Sequence, residues 1–507
     1  MGSDIQTLEL FPVQFKLLSS IKKVSNMKMY KINLIILLAL GVFINSCADL
    51  EIENFNEPNF DDVLASPQDL INVPGGAFVS WWQAQSTVNT GTAWATNADM
   101  LTCSWGNFGI RNFSWQPPLA IDNSLTSNDA AAISTAYSNY YNAVSSGIDI
   151  ERFLNVPENL PVIVNGVDQT AMLDAVSKFL IGAGHAQISI LYDRGFNGDS
   201  ETDLGTLNGE TFVTSAEMRD FGVSKLEEAA SIASSNTFSL PANYLNGLEL
   251  TSTQFAELAN HIAAMALAYH PRNPGEVGDV DWAKVVTLTN NGLSYDFAPL
   301  GDNNLWFDDV KGIGGGALAN GVQANTWARV DQKVLNLMDP NYPSEFPADG
   351  ASLPELTTDD DRISTDFLYR SSIFFPIDRG TYRFSNYVHN RYIPNAYDFA
   401  GVPMPKFLKA EGDLIRAEAL IRSGGDKGEA ATLINNTRVG RGGLTPLTAA
   451  DSDTDMLAAV KYERIIELLN TWGGRELAEA RRWDGWLREG AFRQLPVPGG
   501  ELTVLGV

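Results

Sequence analysis

The stretch KFLKAEGDLIRAEALIRSGGDKGEAATLINNTRVG, residues 406–440, carries two helices and the turn between them. Phe407, Ala410, Leu414, Ala417 and Ile421 recur at intervals of three and four, which lines apolar side chains along one face of an α-helix. Ser423-Gly424-Gly425 ends that helix, because glycine takes the left-handed terminating conformation without a steric cost. A second helix spans about 427–438, and helices joined by so short a turn pack antiparallel. Upstream, Leu173, Val176, Leu180, Ala183, Ala186 and Ile190 repeat the same spacing up to a turn-rich stretch at 193–198. Further helices are predicted near 218–234 and 255–269, the latter closed by His270-Pro271, and a fourth follows Asp281-Trp282. Downstream, one more carries Tyr462, Ile465, Leu469 and Trp472 before Gly473-Gly474. Helical pairs that recur point to a mainly α, tetratricopeptide-like scaffold, although no clean period is visible. One domain is expected over 63–507, with its helical core at about 130–300 and 400–490 and loops inserted between.

Residues 87–118 and 303–327 carry few periodic positions and many of the tryptophans, and 339–405 is dotted with prolines. Long irregular segments inside a compact protein are usually functional.

With 507 residues, 44% hydrophobic and 10% aromatic, the chain can bury a sizeable core. Its formal charge of -26 repels a phosphate backbone over most of the surface, which excludes nucleic acid as a natural partner. Leu34 to Ile44 is unbroken by charge, follows Lys28 and Lys31, and is too short to span a bilayer as a helix. That is the pattern of an export signal, so 1–46 reads as a signal segment with an extended or misassigned start, Met27 or Met29 being more ordinary first residues. Ile44-Asn45-Ser46-Cys47 resembles the lipobox of bacterial lipoproteins, which would make Cys47 the lipidated first residue and 48–62 a tether. Two cysteines exist, so lipidation of Cys47 leaves Cys103 without a disulfide partner. Removing 1–46, with five lysines and two acids, leaves a net charge of -29. Asp49, Glu51 and Glu53 look like the acidic signal that sends some lipoproteins to the cell surface.

Several phrases together resemble the SusD/RagB family of outer-membrane nutrient-binding lipoproteins. They are AVSKFLIGAGHAQISILY (175–192), KFLKAEGDLIRAEAL (406–420) with ATLINNTRVG (431–440), and ERIIELLNTWGGRELAEARRW (463–483) with the late LPVP (495–498). Gly184-His185-Ala186 and the AEAR at 478–481 depart from the family's usual residues. The resemblance implies a glycan-binding face built from loops, no bond cleavage, and a SusC-like TonB-dependent barrel as partner.

Sugars present C–H faces and hydroxyl edges, so a protein that grips them needs flat aromatics beside amides, acids and arginine. Trp105, Asn107, Phe108, Arg111, Asn112 and Trp115 supply that mixture, as do Asn303, Asn304, Trp306, Asp308 and Asp309 with Gln323, Asn325 and Trp327. Large aromatics more often plug a core. Trp81, Trp82, Trp472, Trp483 and Trp486 are read that way.

The chain contains no metalloprotease, redox, nucleophile-elbow or phosphate-loop motif. No catalytic or metal-binding residue is assigned and no cofactor is expected; Asp359-Asp360-Asp361 offers oxygens to a structural calcium ion, but a solvated acidic loop is the commoner use. A surface glycoside hydrolase and a lid that captures peptide instead of sugar are the alternatives.

Overall fold

The computed structural model describes residues 66–103, 109–115, 119–302, 304–311, 328–347, 351–371, 385–392 and 401–507, all within one compact unit, Leu64–Val507. Cys47, the export signal and the tether lie outside the described residues. The long helices are Val73–Gln83 (α1), Ala130–Leu154 (α2), Thr170–Leu191 (α3), Ser215–Ser235 (α4), Ser252–Tyr269 (α5), Trp282–Asn290 (α6), Lys409–Ser423 (α7), Lys427–Arg438 (α8) and Asp453–Glu467 (α9). From α2 to α8 each packs on the next in sequence, the nearest-neighbour stacking of helical-hairpin repeats. The mainly α expectation holds.

Local chemistry sets the ends. Thr214 with Glu217 and Thr251 with Gln254 form reciprocal capping boxes at α4 and α5. Asp281, Asp426 and Ser452 accept from the first-turn amides of α6, α8 and α9. Gly424, at φ +70, ends α7 while the Gly425 amide donates back to the Leu420 carbonyl at 2.7 Å. The helix expected to run through Trp472 instead stops at Glu467: Asn470 takes φ +61, Gly474 takes φ +106, and a new six-residue helix starts at Arg475.

The Gly184-His185-Ala186 departure has a packing reason. A Cβ on Gly184 would stand 2.4 Å from Val144 of α2, so the small residue lets α2 and α3 close up. Two residues earlier Gly182 faces Gly222 of α4, where a Cβ would stand 2.6 Å from the Ala186 amide nitrogen. His185 sits between Tyr141 and Phe221, accepts from the Gly198 amide at 3.2 Å and places Nδ1 2.6 Å from the Ile181 carbonyl. Burial pushes its pKa down to about 4, so it is a neutral core residue at pH 7.

The main core gathers around Trp81, whose ring meets Phe179, Phe297 and Phe407 at 5.4–5.8 Å and whose Nε1 donates to Gln187 at 2.5 Å. Trp472 and Trp486 are buried, as read from the sequence, while Trp483 is half-buried against Lys461, Arg422 and Arg482. Strands are few and short: Leu101–Cys103 (β1) pairs antiparallel with Ala328–Val330 (β2), and Phe367–Tyr369 (β3) with Tyr387–His389 (β4). Residues 87–118, expected to be irregular, contain helices at Thr92–Asn97 and Ile110–Ser114 as well as β1, all too short for periodicity to show. No helix among the described residues is long and apolar enough to cross a membrane.

Candidate functional site

The β1–β2 ladder ties the two tryptophan-bearing segments together at their roots. Leu101 lies opposite Val330, Thr102 opposite Arg329 and Cys103 opposite Ala328. The chain that leaves Cys103 toward Trp105 and the chain that arrives at Ala328 from Trp327 therefore meet the ladder at the same end. Trp105, Asn107 and Trp327 themselves lie outside the described residues. All six ladder residues are buried, so the pair is a fixed base.

The described part of the first segment re-enters at Gly109, whose φ of +73 turns the chain into the Ile110–Ser114 helix that carries Arg111. Phe113 anchors this helix edge-on to Phe492 at 4.9 Å, and the Asn112 amide donates to Asp129 at 2.8 Å. Trp115 follows directly and is half-buried. It is the one sequence-assigned tryptophan of the ligand-binding set that the described residues leave partly open.

Trp306 and Asp308 have a different surrounding. The Trp306 ring packs on Trp82 at 5.3 Å, and the Trp82 Nε1 donates to the Phe307 carbonyl at 2.7 Å. Asp308 has no exposed side-chain surface: Oδ2 accepts from Lys406 Nζ at 2.7 Å and Lys311 Nζ at 2.9 Å, and Oδ1 accepts from the Val310 and Lys311 amides. Lys406 also stands 4.3 Å over the Trp82 ring and donates to Ser86 Oγ at 2.9 Å. Burial works against the Asp308 charge, but the two lysines outweigh it and hold the carboxyl below its ordinary value. Burial pushes Lys406 down to about 7, and burial with the neighbouring Asp308 charge pushes Asp309 up to about 7. A carboxylate enclosed by two ammonium groups cannot reach a ligand, so Asp308, and with it the buried face of Trp306, staples residues 304–311 to α1 and to the strand-like entry of α7. What this segment shows to solvent is Asn304 and Leu305, the latter 46% exposed, on a loop nucleated by Asp302 Oδ1 accepting three successive amides.

Sequence reading passed over the buried charge of the C-terminal region. Arg362 is fully buried and reaches Asp360 and Glu463 at 2.8 Å and Glu467 at 3.2 Å; Arg441 joins Glu467 to Asp366, each at 2.8 Å. Asp360 is thus no part of a solvated acidic loop: burial opposes its charge, but Arg362 and the Tyr462 hydroxyl, 2.7 Å away, hold it ionised. Glu418 is likewise buried among Arg464, Arg482 and Arg422 at 2.5–2.7 Å, and against burial these three arginines bring its pKa to about 2. The AEAR departure is explained by Arg481, which donates to the carbonyls of Pro271, Ile190 and Tyr269 at 2.7–2.8 Å and so satisfies the C-terminal ends of α3 and α5. The visible signal was the alternation of acids and arginines within ERIIELLNTWGGRELAEARRW, on faces that also carry buried aliphatics. Among the described residues no group of three or more His, Cys, Asp or Glu side chains is placed to hold a metal ion.

No family model and no curated protein matches the chain. Solved structures do. A SusD superfamily protein from Parabacteroides distasonis superposes with a TM-score of 0.59 at 12% identity, over 87% of this chain and 97% of that one. A SusD homolog from Bacteroides thetaiotaomicron gives 0.56 at 13% identity, over 87% and 96%. A SusD-like carbohydrate binding protein from Bacteroides vulgatus gives 0.51 at 14% identity, over 82% and 83%.

Proposed function

Taking as premise that the chain has the SusD-like fold, we propose that it is a cell-surface lipoprotein, anchored through Cys47, that captures a glycan nutrient and delivers it to a SusC-like TonB-dependent barrel in the outer membrane without breaking a bond itself. The observation that carries this reading is the β1–β2 ladder on that scaffold, which sets Cys103 opposite Ala328 and so joins the roots of the two aromatic segments. Trp105, Asn107, Arg111 and Trp115 from one segment and Trp327 from the other supply the stacking surface and polar edges that a sugar needs. Trp306 and Asp308 serve the scaffold rather than the ligand, as the staple described above. The carbohydrate-binding protein from Bacteroides vulgatus supports the choice of ligand class, and the lipobox-like Ile44–Cys47 supports the anchor.

The test is retention of the soluble chain, from Asp49 onward, on a panel of immobilised polysaccharides. At least one glycan is expected to retain it, and W105A with W327A should abolish that retention. Retention by peptides and by no glycan would end the sugar assignment while sparing the lid role. Release of reducing ends from a bound glycan would move the protein to the hydrolases. Full-length C47A should leave the membrane fraction if Cys47 carries the lipid.

A further inference from the structure

A cleft of about 700 Å³ opens between Leu337–Asn341, Thr357–Asp359, the loop after α8 and the first turns of α9. None of the residues proposed above for glycan capture lines it, and its size falls within the range of small-ligand sites. Met338, Leu447 and Ala459 give it an apolar floor, to which Tyr462 adds an aromatic ring. That ring is fixed, because the Tyr462 hydroxyl is bonded to Asp360 at 2.7 Å and Arg362 stands 5.8 Å from the ring centre.

Above the floor, polar groups stand uncommitted. Among the described residues no hydrogen bond uses the Thr357 hydroxyl or the Asp359 carboxylate, and Asn341, bonded to Asp339 through its backbone amide at 2.9 Å, adds its exposed side chain to the same lining. Arg438 is aimed by its Nε, which donates to the Thr445 carbonyl at 2.8 Å, and lies 3.9 Å from Glu463 through Nη1. An apolar floor with one aromatic ring, bordered by an amide, a hydroxyl, a carboxylate and a guanidinium, is the combination that takes the C–H face and hydroxyl edge of a sugar. The charge is unbalanced: Asp339, Asp359 and Asp455 face a single cation, Arg438, which leaves the lining at -2. A ligand carrying carboxylates or sulfates would be repelled there, and a neutral or amino-bearing one would not.

We infer that this cleft is a second saccharide subsite, separate from the tryptophan segments, that accepts neutral or amino sugars and excludes uronate and sulfated ones. The inference rests on the glycan-capture reading and narrows its substrate class.

Titration calorimetry on the chain from Asp49 onward tests it, with maltohexaose, cellohexaose, mannohexaose and a glucosamine hexamer as neutral or amino probes and hexagalacturonate and a chondroitin hexasaccharide as acidic ones. For a probe that binds, the double variant N341A/D359A and the filled-cleft variant A459W should each weaken binding at least fivefold or remove one site from the stoichiometry. Asn341 and Asp359 are exposed, so the double variant should fold even where A459W does not. Unchanged affinity and stoichiometry in the double variant, for a probe that W115A weakens, would overturn the subsite and leave glycan capture standing. Tighter binding of the acidic probes than of the neutral ones would overturn the selectivity. Silence of the wild-type chain toward every probe would count against glycan capture itself and remove this subsite with it.

Discussion

The two tryptophan-bearing segments look alike in sequence and are held in opposite ways. Residues 304–311 are bolted down by buried charge, with Asp308 between Lys311 and Lys406 and Trp306 pressed on Trp82. Residues 109–115 are held more lightly, by the Phe113–Phe492 contact, the Asn112–Asp129 bond and the Arg488 guanidinium donating to the Phe113 carbonyl at 2.9 Å, and leave Trp115 half-buried. An enclosed charge network fixes position and gives up access, whereas a half-buried ring keeps access and contributes less to stability. The 304–311 segment is therefore a foundation, and the 109–115 segment keeps the access that the proposed working surface requires.

Replacing Asp308 with alanine should break this contrast most severely. It strands Lys311 and Lys406, both without exposed surface, as unpaired buried cations, and removing one partner of a buried pair costs about 3–5 kcal/mol. Chemical denaturation of D308A should show that loss, and a variant as stable as the wild type would mean the cluster is hydrated in solution.

Trp306→Ala should come next. It empties a buried site beside Trp82, for which about 3 kcal/mol is the low end of the usual cost. Phenylalanine at 306 should recover a large part of that loss, since it restores a ring against Trp82. If alanine there were neutral for stability yet abolished glycan retention, Trp306 would belong to the working surface after all.

Trp115→Ala is expected to reverse the pattern, with about 1 kcal/mol lost from stability and glycan retention reduced at least tenfold. Affinity measured beside a denaturation curve separates the two effects. A large loss of stability with unchanged retention would make Trp115 a second foundation stone.

This contrast marks where sequence reading stops. Helix periodicity, glycine stops and capping residues were legible because each acts within a few neighbours: the 427–438 helix is found where it was predicted, and Ser423-Gly424-Gly425 ends α7 as read. Tryptophan next to asparagine and aspartate was legible as composition but not as burial. What separates Trp306 from Trp115 is Lys406, about a hundred residues farther along the chain than Asp308, and no local pattern announces that partner. The same holds for Arg481, which donates to the Ile190 and Tyr269 carbonyls at the ends of two helices formed more than two hundred residues earlier. The buried stripe of α2 is harder to read, because it is built largely of Ala132, Ala136, Tyr137, Tyr140, Ala143 and Gly147, residues with a weak apolar signal that gain their burial from close contact with α3.

The smallest effect is a pH dependence confined to the foundation. Burial and the Asp308 charge raise the Asp309 carboxyl to about 7 in the folded protein, against an ordinary 3.8. The folded chain therefore binds a proton more readily than the unfolded chain between those values, and the stability this gives is complete below about 3.8 and lost as pH rises through 7. Lys406 works in the opposite sense over a higher range: its folded value of about 7, below the ordinary 10.5, favours unfolding fully below about pH 7 and ceases to do so as pH rises toward 10.5. The cluster should thus be least stabilising close to pH 7, with recovery on both sides. D309N removes the acid limb alone, and because Asp331 and Asp149, raised to about 7 and about 6, tilt the whole curve in the same direction, the informative quantity is the difference between variant and wild type. That difference, measured by denaturant midpoints from pH 4 to 8, should shrink the decline toward neutrality and leave the alkaline limb as it was. A parallel shift of the two curves at every pH would show that Asp309 carries the same charge throughout, and the foundation would then rest on Asp308 and its two lysines without help from a shared proton.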